Sequence, residues 1–318
     1  MLHIHNGDSV AGSARQANLP GRHFPYREIM VAGPVPASLP HHEFIEQRAR
    51  FLAGSQGQKL LRMRNALLEQ ERAIDEARHE DEVVLWFEHD LYCLVHLLYL
   101  LGRLSKNRHL KLVWSPRPLG MMDGSELWNA FNTRTEVPHP MIWIASQAWT
   151  AYTAEDPTEL NRLLANPQRD FPFLAEGLRL HASRFPSTRN GLGEVEKRAM
   201  EGIAAGATDF TSLFARFDAA PPLFGLGDGE FLRHLRRLAT CAVPMITITE
   251  DPTPSMPPKS RYALTPAGQE VLDGKADFID LNNADFWLGG AHLTRERMWR
   301  WDEQAQQLVA INSAAAPA

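Results

Sequence analysis

Short apolar runs along the chain break abruptly into polar clusters, each followed by a helical pattern. Leu2-His3-Ile4-His5 gives way to Asn6-Gly7-Asp8-Ser9, and Val83-Val84-Leu85-Trp86-Phe87 gives way to Glu88-His89-Asp90. In an open α/β sheet such strands lie parallel, with their carboxyl ends facing one crevice where ligands collect. The pattern therefore predicts that Asp8, Ser9, Glu88, His89 and Asp90 surround one pocket.

Residues 2–5 predict a strand and residues 9–17 a helix, with Asp8 or Ser9 as N-cap. Prolines at 20, 25, 34, 36 and 40 then leave 18–40 as loop, with one short strand near 28–31. Helices follow over 42–52 and 58–77. Residues 83–87 have the continuous apolar character of a strand buried on both faces. Leu91, Leu94, Val95, Leu97, Leu98 and Leu101 recur at helical spacing before a further strand at 110–114, a strand-helix-strand unit of the length a right-handed crossover needs. Residues 124–185 read as helical throughout, with Asp156-Pro157-Thr158-Glu159 as a helix start.

A second unit begins near Ser187. Helical patterns at 193–205, 209–217 and 228–240 precede two extended runs, 245–249 and 261–264, separated by a loop holding Pro252, Pro254, Pro257 and Pro258. Three helices and a hairpin are the outline of a winged helix. Thr265-Pro266-Ala267-Gly268 opens a closing helix, and 297–311 predicts a hairpin packed back on the body. The expected fold is α/β: a small parallel Rossmann-like sheet with a helical insertion over 1–186, a winged-helix-like domain over 187–275, and a C-terminal segment over 276–318. The Ala-rich tail 313–318 is expected to fray.

Composition narrows the class. The chain has 318 residues, 44% of them hydrophobic and 22% charged, with a net charge of -5. No run approaches the roughly 20 apolar residues of a membrane span, so no membrane partner and a cytoplasmic location are expected. Cys93 and Cys241 have neither zinc nor redox spacing and read as buried thiols.

Five segments carry a resemblance: residues 2–9, Gly33-Pro34-Val35-Pro36, Trp86-Phe87-Glu88-His89-Asp90, Ser187-Thr188-Arg189-Asn190-Gly191-Leu192 and Trp287-Leu288-Gly289-Gly290-Ala291-His292-Leu293. Together they resemble, over nearly the whole chain, a bacterial family catalogued as domain of unknown function eighteen thirty-five. The resemblance implies a shared fold and brings no activity.

The chemistry must come from the residues. Asp8 and Ser9 sit at a turn whose helical N–H groups can hold an anion, with His5, Asn6 and Gly7 beside them. The dinucleotide fingerprint is incomplete, which favours a phosphate-bearing ligand over a whole dinucleotide. Asn6-Gly7-Asp8-Ser9 also resembles the first block of the Gly-Asp-Ser-Leu lipases and esterases, where the serine is the nucleophile. Val10 replaces the leucine here, and the activating Asp-x-x-His is missing from the last third. Asp8, Glu88 and Asp90 are candidate ligands for a divalent cation, and with His89 a candidate acid and base set. Arg134, Arg189 and Asn190, among hydroxyls and amides, are candidate anion clamps. His292 reads as a packing residue.

On the helix at 228–240, Arg233, Arg236 and Arg237 lie opposite an apolar face, and Lys259 and Arg261 stand near the wing. Nine basic against eleven acidic residues between Ser187 and Gly274 leave that unit at -2, a poor balance for a DNA reader. Trp299-Arg300-Trp301 interleaves as single-strand binders do, yet alternate tryptophans more often fill a seam. The leading expectation is a small anionic ligand, a nucleotide or phosphorylated metabolite, held at the strand carboxyl ends, with metal-assisted hydrolysis or group transfer if the protein is an enzyme. The alternative is a ligand-responsive regulator whose winged helix binds DNA.

Overall fold

The computed structural model describes residues 1–107, 109–166, 168–219, 223–251 and 259–311. The prolines expected at the wing tip and the tail 313–318 lie outside them. In chain order the first unit comprises β1 (Leu2–His5), α1 (Asp8–Gln16), β2 (Arg22–Pro25), α2 (His41–Gln56), α3 (Leu60–Ala77), β3 (Val83–Glu88), α4 (Leu91–Arg103), β4 (Leu110–Ser115), α5 (Gly124–Asn132), β5 (Thr135–Glu136), α6 (His139–Thr153), α7 (Leu160–Ala165) and α8 (Leu174–Ala182).

The five strands form one sheet in the order β2-β1-β3-β4-β5, parallel except for β5. The order reverses between β1 and β3, the place where such sheets open a crevice. Alternation along β3 shows why its run is apolar throughout. Val83, Leu85 and Phe87 join the main core, while Val84 and Trp86 pack with Val10, Ala14, Leu127 and Phe131 of α1 and α5 on the other face.

Two expectations need correction. The early strand is 22–25, not 28–31: Arg22 to Pro25 pair with Leu2 to His5 at the sheet edge, where a proline is tolerated. Residues 124–185 are not helical throughout, because Thr135 and Glu136 pair with Leu112 and Lys111.

The remaining elements are α9 (Glu194–Ala204), α10 (Phe210–Asp218), α11 (Asp228–Thr240), β6 (Ile246–Thr249), β7 (Arg261–Leu264), α12 (Pro266–Leu272), α13 (Phe278–Leu281), β8 (Phe286–Leu288), β9 (Ala291–Leu293), β10 (Met298–Asp302) and β11 (Gln307–Ile311). Three helices thus precede the antiparallel β6–β7 hairpin, and Thr265 caps α12 by accepting from Gly268 N at 2.9 Å. The closing β10–β11 hairpin packs back on the body: Trp301 N donates to Pro186 O at 2.8 Å, and Trp299 and Trp301 are buried. One buried apolar cluster runs from Leu2 to Leu308 through both halves of the chain. Among the described residues no helix is long and apolar enough to cross a membrane.

Candidate functional site

Ahead of α2, the segment 28–36 crosses the carboxyl side of the sheet with little secondary structure of its own, so its backbone needs other partners. Side chains supply them. Arg48, fully buried on the apolar face of α2, makes bonds of 2.8 and 2.9 Å to Glu28 and donates to the carbonyls of Ile29, Ala32 and Pro34. Tyr92 donates to Glu28 O at 3.0 Å, Tyr152 to Met30 O at 2.7 Å and Arg184 to Val31 O at 2.7 Å, while Met30 N donates to His96 at 3.2 Å.

Beside this segment lies a crevice of about 610 Å³. Asn6, Gly7 and Asp8 form one wall, Tyr26, Arg27 and Tyr92 the base, and residues 225–230 the opposite wall. The walls are the amino ends of α1 and α11. Each helix starts after a glycine, Gly7 or Gly227, with no side-chain cap. Across the crevice base Arg27 holds Asp8 by two bonds of 2.7 Å, and this hydrogen bonding sets the Asp8 carboxyl below its usual range.

The ends of β1 and β3 do converge. Asn6 Nδ2 donates to Glu88 Oε1 at 2.9 Å and approaches Cys93 Sγ at 3.3 Å, and Glu88 Oε1 also accepts from Leu119 N at 2.9 Å. Burial, opposed by these bonds, raises the Glu88 carboxyl. Asp90 caps α4 by accepting from Cys93 N at 2.6 Å, and burial, with Glu88 adding to it, pushes its pKa up to about 7. Gly225 covers Asp90. It has φ +65°, and a Cβ there would stand 2.6 Å from the carboxylate. His89 stacks on Phe173 at 5.1 Å and packs against Trp114, away from the crevice lining, and burial lowers its pKa.

These contacts correct the expected site. Asp8 does not share a cation site with Glu88 and Asp90, because the first turn of α1 directs it to Arg27. Glu88, Asp90 and Cys93 instead bring one donor atom each within 4.8 Å of one another, and that trio could hold a cation. His3, His5 and His23 form a second such group, in which most ring nitrogens are already hydrogen-bonded and only His5 Nδ1 is buried without a partner among the described residues. His3 Nε2 donates to Pro20 O at 2.7 Å while its Nδ1 accepts from Trp86 at 2.9 Å; His5 Nε2 lies 3.0 Å from His23 Nδ1, and His23 Nε2 3.1 Å from Leu19 O. His5 is fully buried under α1 and cannot touch a ligand in the crevice. Ser9 is exposed on α1, with no imidazole hydrogen-bonded to it among the described residues.

The other expected clamps lie elsewhere. Arg134 pairs with Glu82 at 3.2 Å and covers Phe131, at the amino ends of the strands. Arg189 is exposed beside Gly274. Buried Asn190 fastens its loop, accepting from Ser187 Oγ at 2.8 Å and donating to Val271 O at 2.8 Å. On α11, Arg233 pairs with Glu230 and lies over Phe51, and Arg237 pairs with buried Glu196 and lies over Phe286. Arg236 is exposed, while Arg233 and Arg237 are half-buried and held in ion pairs, so the row expected for DNA does not present three free cations. His292 pairs with Asp285 at 2.8 Å and stacks on Trp287.

No family model matches the chain, and no curated protein matches it. Sequence reasoning missed Arg27, Arg48 and Arg184. Arg48 left a trace, a cation on the apolar stripe Phe44, Ile45, Ala49 and Leu52.

Proposed function

We propose that the protein binds a small anionic ligand, a nucleotide or other phosphorylated metabolite, in the crevice at the strand carboxyl ends. The observation that carries this reading is the meeting of two uncapped helix N-termini, α1 and α11, over Arg27 in one cavity of about 610 Å³. The first-turn N–H groups of α1, and those of α11 other than Gly229 N, which Asp228 Oδ1 accepts at 2.7 Å, favour a phosphate there together with the helix dipoles and Arg27, against the carboxylates Asp228 and Glu230 on the same wall. Tyr92, half-buried at the base, offers apolar ring surface for the rest of the molecule.

Binding, rather than hydrolysis or group transfer, is what the geometry supports. Asp90 lies behind Gly225, and Glu88 is committed to Asn6 and Leu119. The cytoplasmic location and membership of the family resembled in sequence belong to this proposal too, as does a winged-helix reading of α9–α11 and the β6–β7 hairpin. In it α11 supplies a wall of the ligand site, and the ion pairs of Arg233 and Arg237 disfavour a DNA-reading role.

Calorimetric titration with adenosine monophosphate tests the reading. Saturable binding is expected in the wild type, with loss in Arg27→Gln and in Gly229→Asp, where a Cβ meets nothing within 4 Å and only the charge is added. Equal binding by all three proteins, or none by the wild type, overturns it.

A further inference from the structure

A second cavity, of about 270 Å³, lies farther along α11 between segment 32–34 and β8. It has apolar walls, Phe51, Phe286 and Trp287, and a polar side made by Arg184, Arg233, Arg237, the Glu196 carboxylate and His234, whose pKa burial lowers. Gly33 makes room for this wall: it has φ +71°, and a Cβ there would stand 2.5 Å from the Phe51 ring.

One of the cavity's three arginines stands outside its ion pairs. Glu196 is shared by Arg237 and His234, which bonds it at 2.6 Å. Arg233 is matched by Glu230, and Asp285, exposed at the cavity, is bonded to His292. That leaves Arg184. It is 5% exposed, its Nη2 donates to the Val31 carbonyl, and its Nε and Nη1 meet no partner at hydrogen-bonding geometry among the described residues; the Tyr152 hydroxyl and the Glu196 carboxylate support its charge without forming an ion pair with it. A buried cation with two unmet donors is expensive unless an anion completes it. Arg233 is lowered to about 10, by burial first and then by the neighbouring Arg184, Arg237 and Arg48.

We propose that this cavity is a second binding site, distinct from the strand-end crevice, which takes a small organic anion, a carboxylate or phosphate monoester on a flat apolar body, with Arg184 as the anchor. Nε and Nη1 lie on different edges of the guanidinium, so an anion would take Nη1–H together with the second hydrogen of Nη2, or Nε–H alone. Phe286 and Trp287 then face the ring. The volume sits at the small end of ligand sites, so a single ring and its acid group fit where a dinucleotide does not.

Calorimetry of the full chain with phenyl phosphate, phenylacetate and neutral benzyl alcohol tests this. At least one of the two anions is expected to bind saturably, the comparison identifying which acid group the site prefers, and benzyl alcohol to bind far more weakly. Arg184→Met should reduce the anion's affinity by about tenfold or more, and, because it leaves the Val31 carbonyl without its donor, it should also lower the melting temperature. A purely structural arginine would lower the melting temperature and leave the affinity of the folded protein unchanged. Arg27→Gln, which disables the crevice, should leave this binding intact. Should Arg184→Met fail to fold, Trp287→Ala decides, with weakened binding expected. No saturable binding of either anion up to about 10 mM, equal affinity in the deciding variant, or equal binding of benzyl alcohol overturns the proposal.

Discussion

Asp8 and Arg27 are joined by two bonds of 2.7 Å, from Nε and Nη2 to the two carboxylate oxygens, at the base of the strand-end crevice. Both side chains are more than half exposed, so the pair itself is worth little. An incoming phosphate must compete with Asp8 for that guanidinium.

Asp8→Asn should therefore tighten adenosine monophosphate binding by about two- to five-fold, read by calorimetry at low salt. If Asp8 instead held a cation or acted as a base, the same change would weaken binding.

The buried pair of Glu28 and Arg48 supports the segment that borders both cavities. Arg48→Leu leaves the Glu28 carboxylate buried without its partner and should lower stability by roughly 3–5 kcal/mol in urea denaturation. Adding Glu28→Gln to Arg48→Leu should recover part of the loss. Additive losses would show that the pair is not the reason the segment holds its shape.

At Gly225, both the left-handed backbone and the contact with Asp90 exclude a side chain. Gly225→Ala should cost roughly 1–3 kcal/mol. It should also weaken adenosine monophosphate binding, because the same loop leads into the α11 wall. A stability within error of wild type would contradict the observed seating of this loop.

Stability should depend on pH through groups of opposite sign. Burial lowers His3 to about 4, His96 to about 3 and His5 to about 2. Below about pH 6.5 the unfolded chain takes up protons that these folded histidines refuse, so their contribution is present above 6.5 and lost as the pH falls. Asp90, raised to about 7, runs the other way. Its contribution is full below its ordinary value of 3.8 and lost as the pH rises through 7. Asp90→Asn, which keeps an N-cap side chain, should match wild type near pH 4 and exceed it near pH 8 in urea midpoints. A variant less stable than wild type at about pH 8 would contradict a raised Asp90.

The strand-end geometry was legible in the sequence because apolar runs ending in polar clusters report where parallel strands stop. The Asn6 to Glu88 bond is the physical result. The roles within the site were not legible. Whether Asp8 faces Glu88 or Arg27 depends on the angle at which α1 leaves β1, and sequence periodicity carries no such angle. Arg184 was invisible for a similar reason: its partner is a backbone carbonyl 153 positions away. The arginines of α11 were visible as a face but not as an inward one, since β8 and α2, which cover that face, are remote in the chain.

The most direct test of anion binding at the strand ends is a crystal soaked in tungstate, with the anion located by its anomalous signal. A peak is expected between the Gly7–Asp8 and Gly227–Gly229 turns, within reach of Arg27. Peaks only elsewhere, or none, would contradict it.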